Sequence, residues 1–276
     1  MLCVLAVALF TSSAAAFTFT TFDVPGAINT VASGINTQGQ VVGFYVDGTT
    51  AKYRGFLRNP DGTLLAVDVP GASCTFATGI NTSGEIVGTF CGIPGLRGFL
   101  RHQDGTFTTF SILGAHDLHV YGINTRGEIV GTYVTPSAPG LGFLRHPDGV
   151  VTTINVAGAA YTVIYGIDTV GLIVGAFSDA AGIHGLLGHP PGPFTTIDAP
   201  GASATGVTGA SGNTVVGNAT VSGLSSAFLL DLVRQTYTTI AVPGATSTTA
   251  LGISGTAIVG VWGGDDAQAH GFVARP

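Results

Sequence analysis

Short apolar runs alternate with polar, glycine-bearing turns along nearly the whole chain, the pattern of β-strands joined by tight hairpins. Four kinds of run recur. The stretch before each Gly-Ile-Asn triplet predicts a first strand. Glu-Ile-Val-Gly-Thr-Tyr (Glu128 to Tyr133) typifies the second and is apolar on both faces, as a strand sandwiched between neighbouring sheets should be. Gly-Phe-Leu-Arg (Gly142 to Arg145) predicts a third. Phe-Thr-Thr-Phe (Phe107 to Phe110) alternates apolar with Thr and predicts an outer strand with one wet face. Asn-Thr-x-Gly separates the first two runs and Asp-Gly the last two, with glycine free to take the positive φ of a tight hairpin. Each unit therefore reads as a four-stranded antiparallel sheet.

The unit repeats. Gly-Ile-Asn stands at Gly34, Gly79 and Gly122, continues as Gly166-Ile167-Asp168, fades at Gly209-Ala210-Ser211 and returns as Gly252-Ile253-Ser254. A Val-Gly pair follows in all six copies, at Val42, Val87, Val130, Val174, Val216 and Val259, and then a Gly-Phe-Leu-like step. Six degenerate copies of about 44 residues, each four-stranded, match propeller blades. The fold expected is all-β: a six-bladed β-propeller of four-stranded antiparallel blades. Phe17 to Val24 reads as a fourth strand ahead of any first, and the chain stops after a third at Gly271-Phe272-Val273. Closure is therefore expected by the N-terminal strand joining the last blade, which leaves no open edge. An outer-membrane barrel would need longer strands and aromatic girdles, and a parallel β-helix is opposed by hairpins inside the repeat.

The apolar run from Met1 to Phe10, followed by Ala14-Ala15-Ala16, reads as a secretory signal peptide over residues 1–16. The expectation is one propeller domain over 17–276, secreted to the extracellular space, periplasm or cell surface, with no membrane span after signal removal. A net charge of −6, with its few basic residues scattered through the repeats, argues against nucleic acid.

Three motifs in register carry a resemblance to a known family: Gly-Ile-Asn-x-x-Gly-x-Ile-Val-Gly, the (His)-Gly/Ala-Phe step, and Phe-Thr-Thr-Ile-Asp-Val-Pro-Gly-Ala. From Phe17 to Pro276 the chain resembles the HAF repeat family of extracellular bacterial repeat proteins. The naming triplet is degenerate, reading Arg54-Gly55-Phe56, His184-Gly185-Leu186 and His270-Gly271-Phe272 among its forms. The resemblance implies an exported repeat protein and supplies no catalytic residues.

Candidate chemistry is sparse. Asp23, Asp68 and Asp198 recur before Val/Ala-Pro-Gly, and Asp61, Asp104 and Asp148 recur in turns, so these acids read as structural. Asp117, Asp179, Asp265 and Asp266 are the more individual acids. Among seven His, only His116 and His119 are close, and they read as exposed loop residues rather than as a metal pair. No nucleophile elbow or phosphate loop is present. No catalytic, cofactor or metal residue is assigned. Cys74 and Cys91 flank the hairpin around Asn81 to Gly84 and make a candidate disulfide. The variable loops between second and third strands, with the Val-Pro-Gly-Ala connections, should share one face, where binding specificity usually resides. The function expected is a non-catalytic binding or scaffold module with a glycan or extracellular protein partner. The alternative is a secreted hydrolase or lyase working at the channel mouth.

Overall fold

The computed structural model describes residues 17–93 and 95–276, and the signal-peptide expectation over residues 1–16 lies outside them. The described residues form an all-β propeller with four-stranded antiparallel blades. The strand run before each Gly-Ile-Asn site is innermost: Ala27–Ile35, Thr75–Ile80, Asp117–Ile123, Tyr161–Ile167, Ala204–Ser211 and Ser247–Ser254. These pack in cyclic order, and the last returns to the first. The Phe-Thr-Thr runs are outermost, with their Thr side chains largely in solvent. The glycines of both turn types take positive φ, 76° at Gly39 and 90° at Gly62 for example.

Closure is made by Thr18–Phe22, which pairs antiparallel with Ala269–Arg275 from Thr18↔Arg275 to Phe22↔Gly271. One connection departs from the expected set of separate sheets. Four sheets have four strands, whereas a fifth has eight, because Ile183 pairs in parallel with Ala204. There the start of a third strand lies against the start of the next inner strand, and Gly182 lets the backbones approach (a Cβ on Gly182 would sit 3.1 Å from the Ser203 carbonyl oxygen).

The repeat signature has a packing cause. The glycine of each Val-Gly pair lies directly across from the large apolar residue of the third strand: Gly43↔Phe56, Gly88↔Phe99, Gly131↔Phe143, Gly175↔Leu186, Gly217↔Phe228 and Gly260↔Phe272. The inner-strand carbonyl and, where the third strand carries Phe, its ring fill the space a side chain would need; at Gly43 a Cβ would stand 1.9 Å from the Val31 carbonyl oxygen and 2.7 Å from Phe56 Cζ. These six large residues are buried, and each contributes about 1.5–3 kcal/mol of hydrophobic stabilisation. The cores lie between neighbouring sheets. One of them joins Val24, Ala32 and Phe56 of the first copy to Val259 and Val273 of the last, so the closing seam is part of the core. Buried Thr30, Thr75, Thr162, Thr205 and Thr248 accept hydrogen bonds from the backbone N–H of Val24, Val69, Val156, Ala199 and Val242, which pins each Pro-Gly-type turn to the inner strand that follows. Among the described residues no helix is long and apolar enough to cross a membrane.

Candidate functional site

Each inner strand changes register one residue before the glycine of its Gly-Ile-Asn site, as between Val120 and Gly122 or Ile164 and Gly166. The bulged residues are Ser33, Thr78, Tyr121, Tyr165, Thr208 and Leu251. A bulge re-aims the side chain at the extra residue, and all six line a central chamber of about 520 Å³. Phe44, Asn218, Val31 and Gly206 complete its wall. Thr78 Oγ1 donates to the Val120 carbonyl (2.8 Å) and Thr208 Oγ1 to the Ala250 carbonyl (2.9 Å), so two of the polar members are spent joining neighbouring copies. Asn218 does likewise, bonding the Ala250 backbone at both its amide atoms.

Toward the loops the chamber meets a mouth of about 490 Å³ at the seam between first and last copies, with Val31 and Phe44 common to both. Tyr45, Tyr53, Trp262, Asn29 and Gln268 surround it. Asn29 Oδ1 accepts from the Ala269 N–H across the seam (2.8 Å), and Trp262 stacks on His270 at 4.5 Å. Phe76 holds Phe44 and Tyr53 in one aromatic cluster, with centroids 5.1 and 4.9 Å away. The second-to-third-strand loops and the Pro-Gly-type connections do share this face, as the Gly48 N–H to Gly26 carbonyl and Thr246 N–H to Gly263 carbonyl bonds require.

The opposite end holds a cavity of about 300 Å³, ringed by the Ile-Asn-Thr residues and their counterparts. Asn36 donates to the Asn81 carbonyl and Asn81 to the Asn124 carbonyl, both at 3.1 Å, while the Asn36 and Asn124 Oδ1 atoms cap N–H groups of their own hairpins. The triplet therefore needs an amide: it accepts at home and donates next door. Asp168 in the fourth copy keeps only the accepting half.

The individual acids do not converge, since Asp117, Asp179 and the Asp265-Asp266 pair sit in three different copies. Asp117 takes bonds from the Leu96 N–H and His116 Nδ1, Asp179 pairs with His184, Asp266 pairs with His270, and Asp265 is exposed. His119 corrects the loop expectation. The inner strand begins at Asp117, so His119 lies within it and is half-buried, two residues from bulged Tyr121. Burial holds its imidazole below the ordinary value, against the pull of Asp117, so it is neutral at neutral pH.

A recurring ion-pair arrangement escaped the sequence reading. A third-strand cation sits between the acid before Val/Ala-Pro-Gly and an acid of the preceding loop: Arg54 between Asp68 (2.9 Å) and Asp47 (3.8 Å), His184 between Asp198 (2.9 Å) and Asp179 (3.2 Å), His270 between Asp23 (2.9 Å) and Asp266 (3.0 Å). Where the third strand carries Leu141 or Ser226, the partner position carries Asn155 or Ala241. That co-occurrence, broken in the second copy where Arg97 goes with Ser111, was the available signal. The hydrogen bond that His184 donates to Asp198, helped by Asp179 and opposed by partial burial, raises its imidazole above the ordinary value. Burial pulls His270 down, and Asp23 with Asp266 together carry it above its ordinary value.

Cys74 and Cys91 are joined in a disulfide, Cα atoms 5.1 Å apart, on the loop side of the second copy. Among the described residues no group of three or more His, Cys, Asp or Glu is placed to hold a metal ion.

No protein-family model matches the chain, and no curated protein does either. Solved structures do. The chain is similar to a virginiamycin B lyase from Staphylococcus aureus at 12% identity and TM-score 0.54, covering 94% of this chain and 99% of that one. TolB from Acinetobacter baumannii gives 12% and 0.61, over 86% of this chain and 63% of that chain. A gluconolactonase from Xanthomonas campestris gives 13% and 0.58, over 94% and 90%. The likeness is one of fold. At such identity no residue role transfers, because one propeller scaffold hosts unrelated chemistries.

Proposed function

We propose that this chain is an exported, non-catalytic binding module of the HAF repeat type, a six-bladed propeller whose ligand enters the central chamber from the loop face. The observation that carries the reading is the chamber wall. None of its ten residues is an Asp, Glu, His, Lys or Arg, and its two ionisable groups, the Tyr121 and Tyr165 hydroxyls, are kept protonated by burial, while the best-formed charged groups nearby are paired with one another. Acid–base chemistry needs two titratable groups within reach of one reacting atom, and binding does not. The six-blade count follows if the eight-stranded sheet is divided at its single parallel pairing, which gives each inner strand its own blade. Export is supported by the apolar N-terminal run and the disulfide.

The second reading, a secreted hydrolase or lyase, is favoured by the lyase and the gluconolactonase among the similar folds and by Asp117 and His119 on one face of an inner strand. Turnover assays on the secreted protein with lactone, ester and polysaccharide substrates decide between them. Turnover abolished by His119→Ala or by a single mouth substitution would overturn the binding reading. Saturable binding without turnover supports it, and N-terminal sequencing of the secreted protein should begin at Phe17.

A further inference from the structure

We infer that the chamber takes one uncharged, flat aromatic molecule, an inference that rests on the binding reading above and names its ligand class. Four observations carry it. The volume, about 520 Å³, lies in the range that encloses a drug-sized ligand. No side chain in the wall can neutralise a charge, so a charged ligand would be desolvated without compensation. Tyr121 and Tyr165 meet edge to face at 5.2 Å, offering ring surface, and neither hydroxyl is hydrogen-bonded to a protein group among the described residues. Those hydroxyls stay protonated, since burial raises both above the ordinary tyrosine value. They therefore offer a neutral ligand edge two groups that donate or accept.

Gly206 supplies the fourth. Glycines inside these strands mostly make room for protein: a Cβ at Gly209 would meet Ile253 N at 3.1 Å, and one at Gly142 would meet Ile164 Cγ1 at 2.7 Å. At Gly206 the nearest atom to a Cβ would be Ala176 Cβ at 3.9 Å. Other copies carry Val31, Phe76, His119, Val163 or Thr249 at this inner-strand position. The absent side chain at Gly206 is thus chamber space, a slot in one wall beside an otherwise filled ring.

The test uses two dyes with one anilinonaphthalene skeleton. N-phenyl-1-naphthylamine is neutral, and 8-anilinonaphthalene-1-sulfonate adds a sulfonate. Fluorescence titration of the full secreted protein should give saturable one-to-one binding of the neutral dye, at least about tenfold tighter than the sulfonate. Gly206→Phe should weaken the neutral dye at least about tenfold by occupying the slot. Leu251→Tyr, which places there what the third and fourth copies carry, gives a second block should the first variant fail to fold. Equal or tighter binding of the sulfonate, neutral-dye binding untouched by both blocks, or no dye binding at all overturns the inference. In that last case an oligosaccharide panel separates the two claims. A glycan captured at the mouth and lost in Trp262→Ala leaves the binding reading standing without this ligand class, whereas substrate turnover removes both.

Discussion

Asp23 and His270 lie 247 residues apart in the chain and 2.9 Å apart in the protein. The pair ties the first described strand to the last, and Asp266 holds the other imidazole nitrogen at 3.0 Å. An imidazole with a carboxylate on each nitrogen is best satisfied as imidazolium, because both nitrogens then donate. Asp23 is thus a seam contact, made where covalent continuity is missing.

The seam should respond to pH on two sides. His270 is raised above 6.5, so its contribution is fully present below about 6.5 and is lost as pH rises through the raised value. Asp266 is lowered below 3.8 by the Gln268 N–H and His270, against partial burial, so its contribution is present above 3.8 and is lost as pH falls through the lowered value. Thermal melts of wild type and His270→Ala from pH 2 to 9 should differ most between those limits and less beyond either, with the loss of the Trp262 stack remaining throughout. The largest difference should be modest, about 0.5–1.5 kcal/mol after allowing for solvent screening of the exposed acids.

The glycine–aromatic pairs should be intolerant from both sides. Phe272→Ala empties a buried site beneath Gly260 and should cost about 3–5 kcal/mol. Gly260→Ala places a Cβ against the Thr249 carbonyl oxygen and the Phe272 ring and should cost about 1–3 kcal/mol by overpacking. Urea denaturation with unchanged m-value checks both.

Reduction of Cys74–Cys91 should lower stability by about 2–4 kcal/mol, since the bond closes a loop between residues 17 apart in sequence. Intact-mass measurement before and after thiol alkylation of the secreted protein should find no free thiol at either position. The loss on reduction should be matched by a Cys74→Ala, Cys91→Ala double variant.

Asn36→Asp keeps the acceptor that holds the Gln38 and Gln40 N–H groups but removes the donor to the Asn81 carbonyl. The buried carbonyl is left short of a partner, and the expected loss is about 1–3 kcal/mol. Asn36→Ala should cost more, because the hairpin cap goes as well. Chemical denaturation of the two variants side by side reads the difference.

Much of this architecture was legible from local chemistry. Gly39, Gly62 and their counterparts mark hairpins because positive φ selects glycine, and the Phe-Thr-Thr alternation marks an outer strand because strand side chains alternate between faces. The cation-between-acids arrangement was not read, although Leu141 with Asn155 and Ser226 with Ala241 carried its negative image. Which acid meets which cation depends on register between a third strand and the following turn. His119 was misplaced because the inner strand starts at Asp117, where it pairs with Val134 of the next strand, a partner the run itself does not reveal.

Six periodic units, their strand order and their turns belong to the sequence alone, since period, alternation and turn residues are short-range properties that need no partner. The chamber belongs to tertiary structure. Its wall is built from single bulged residues such as Tyr121 and Tyr165, each aimed inward by a register change against the neighbouring strand, and its slot exists only because nothing fills the space above Gly206. Side chains far apart in sequence meet there only once the ring is closed, so their convergence is decided by packing.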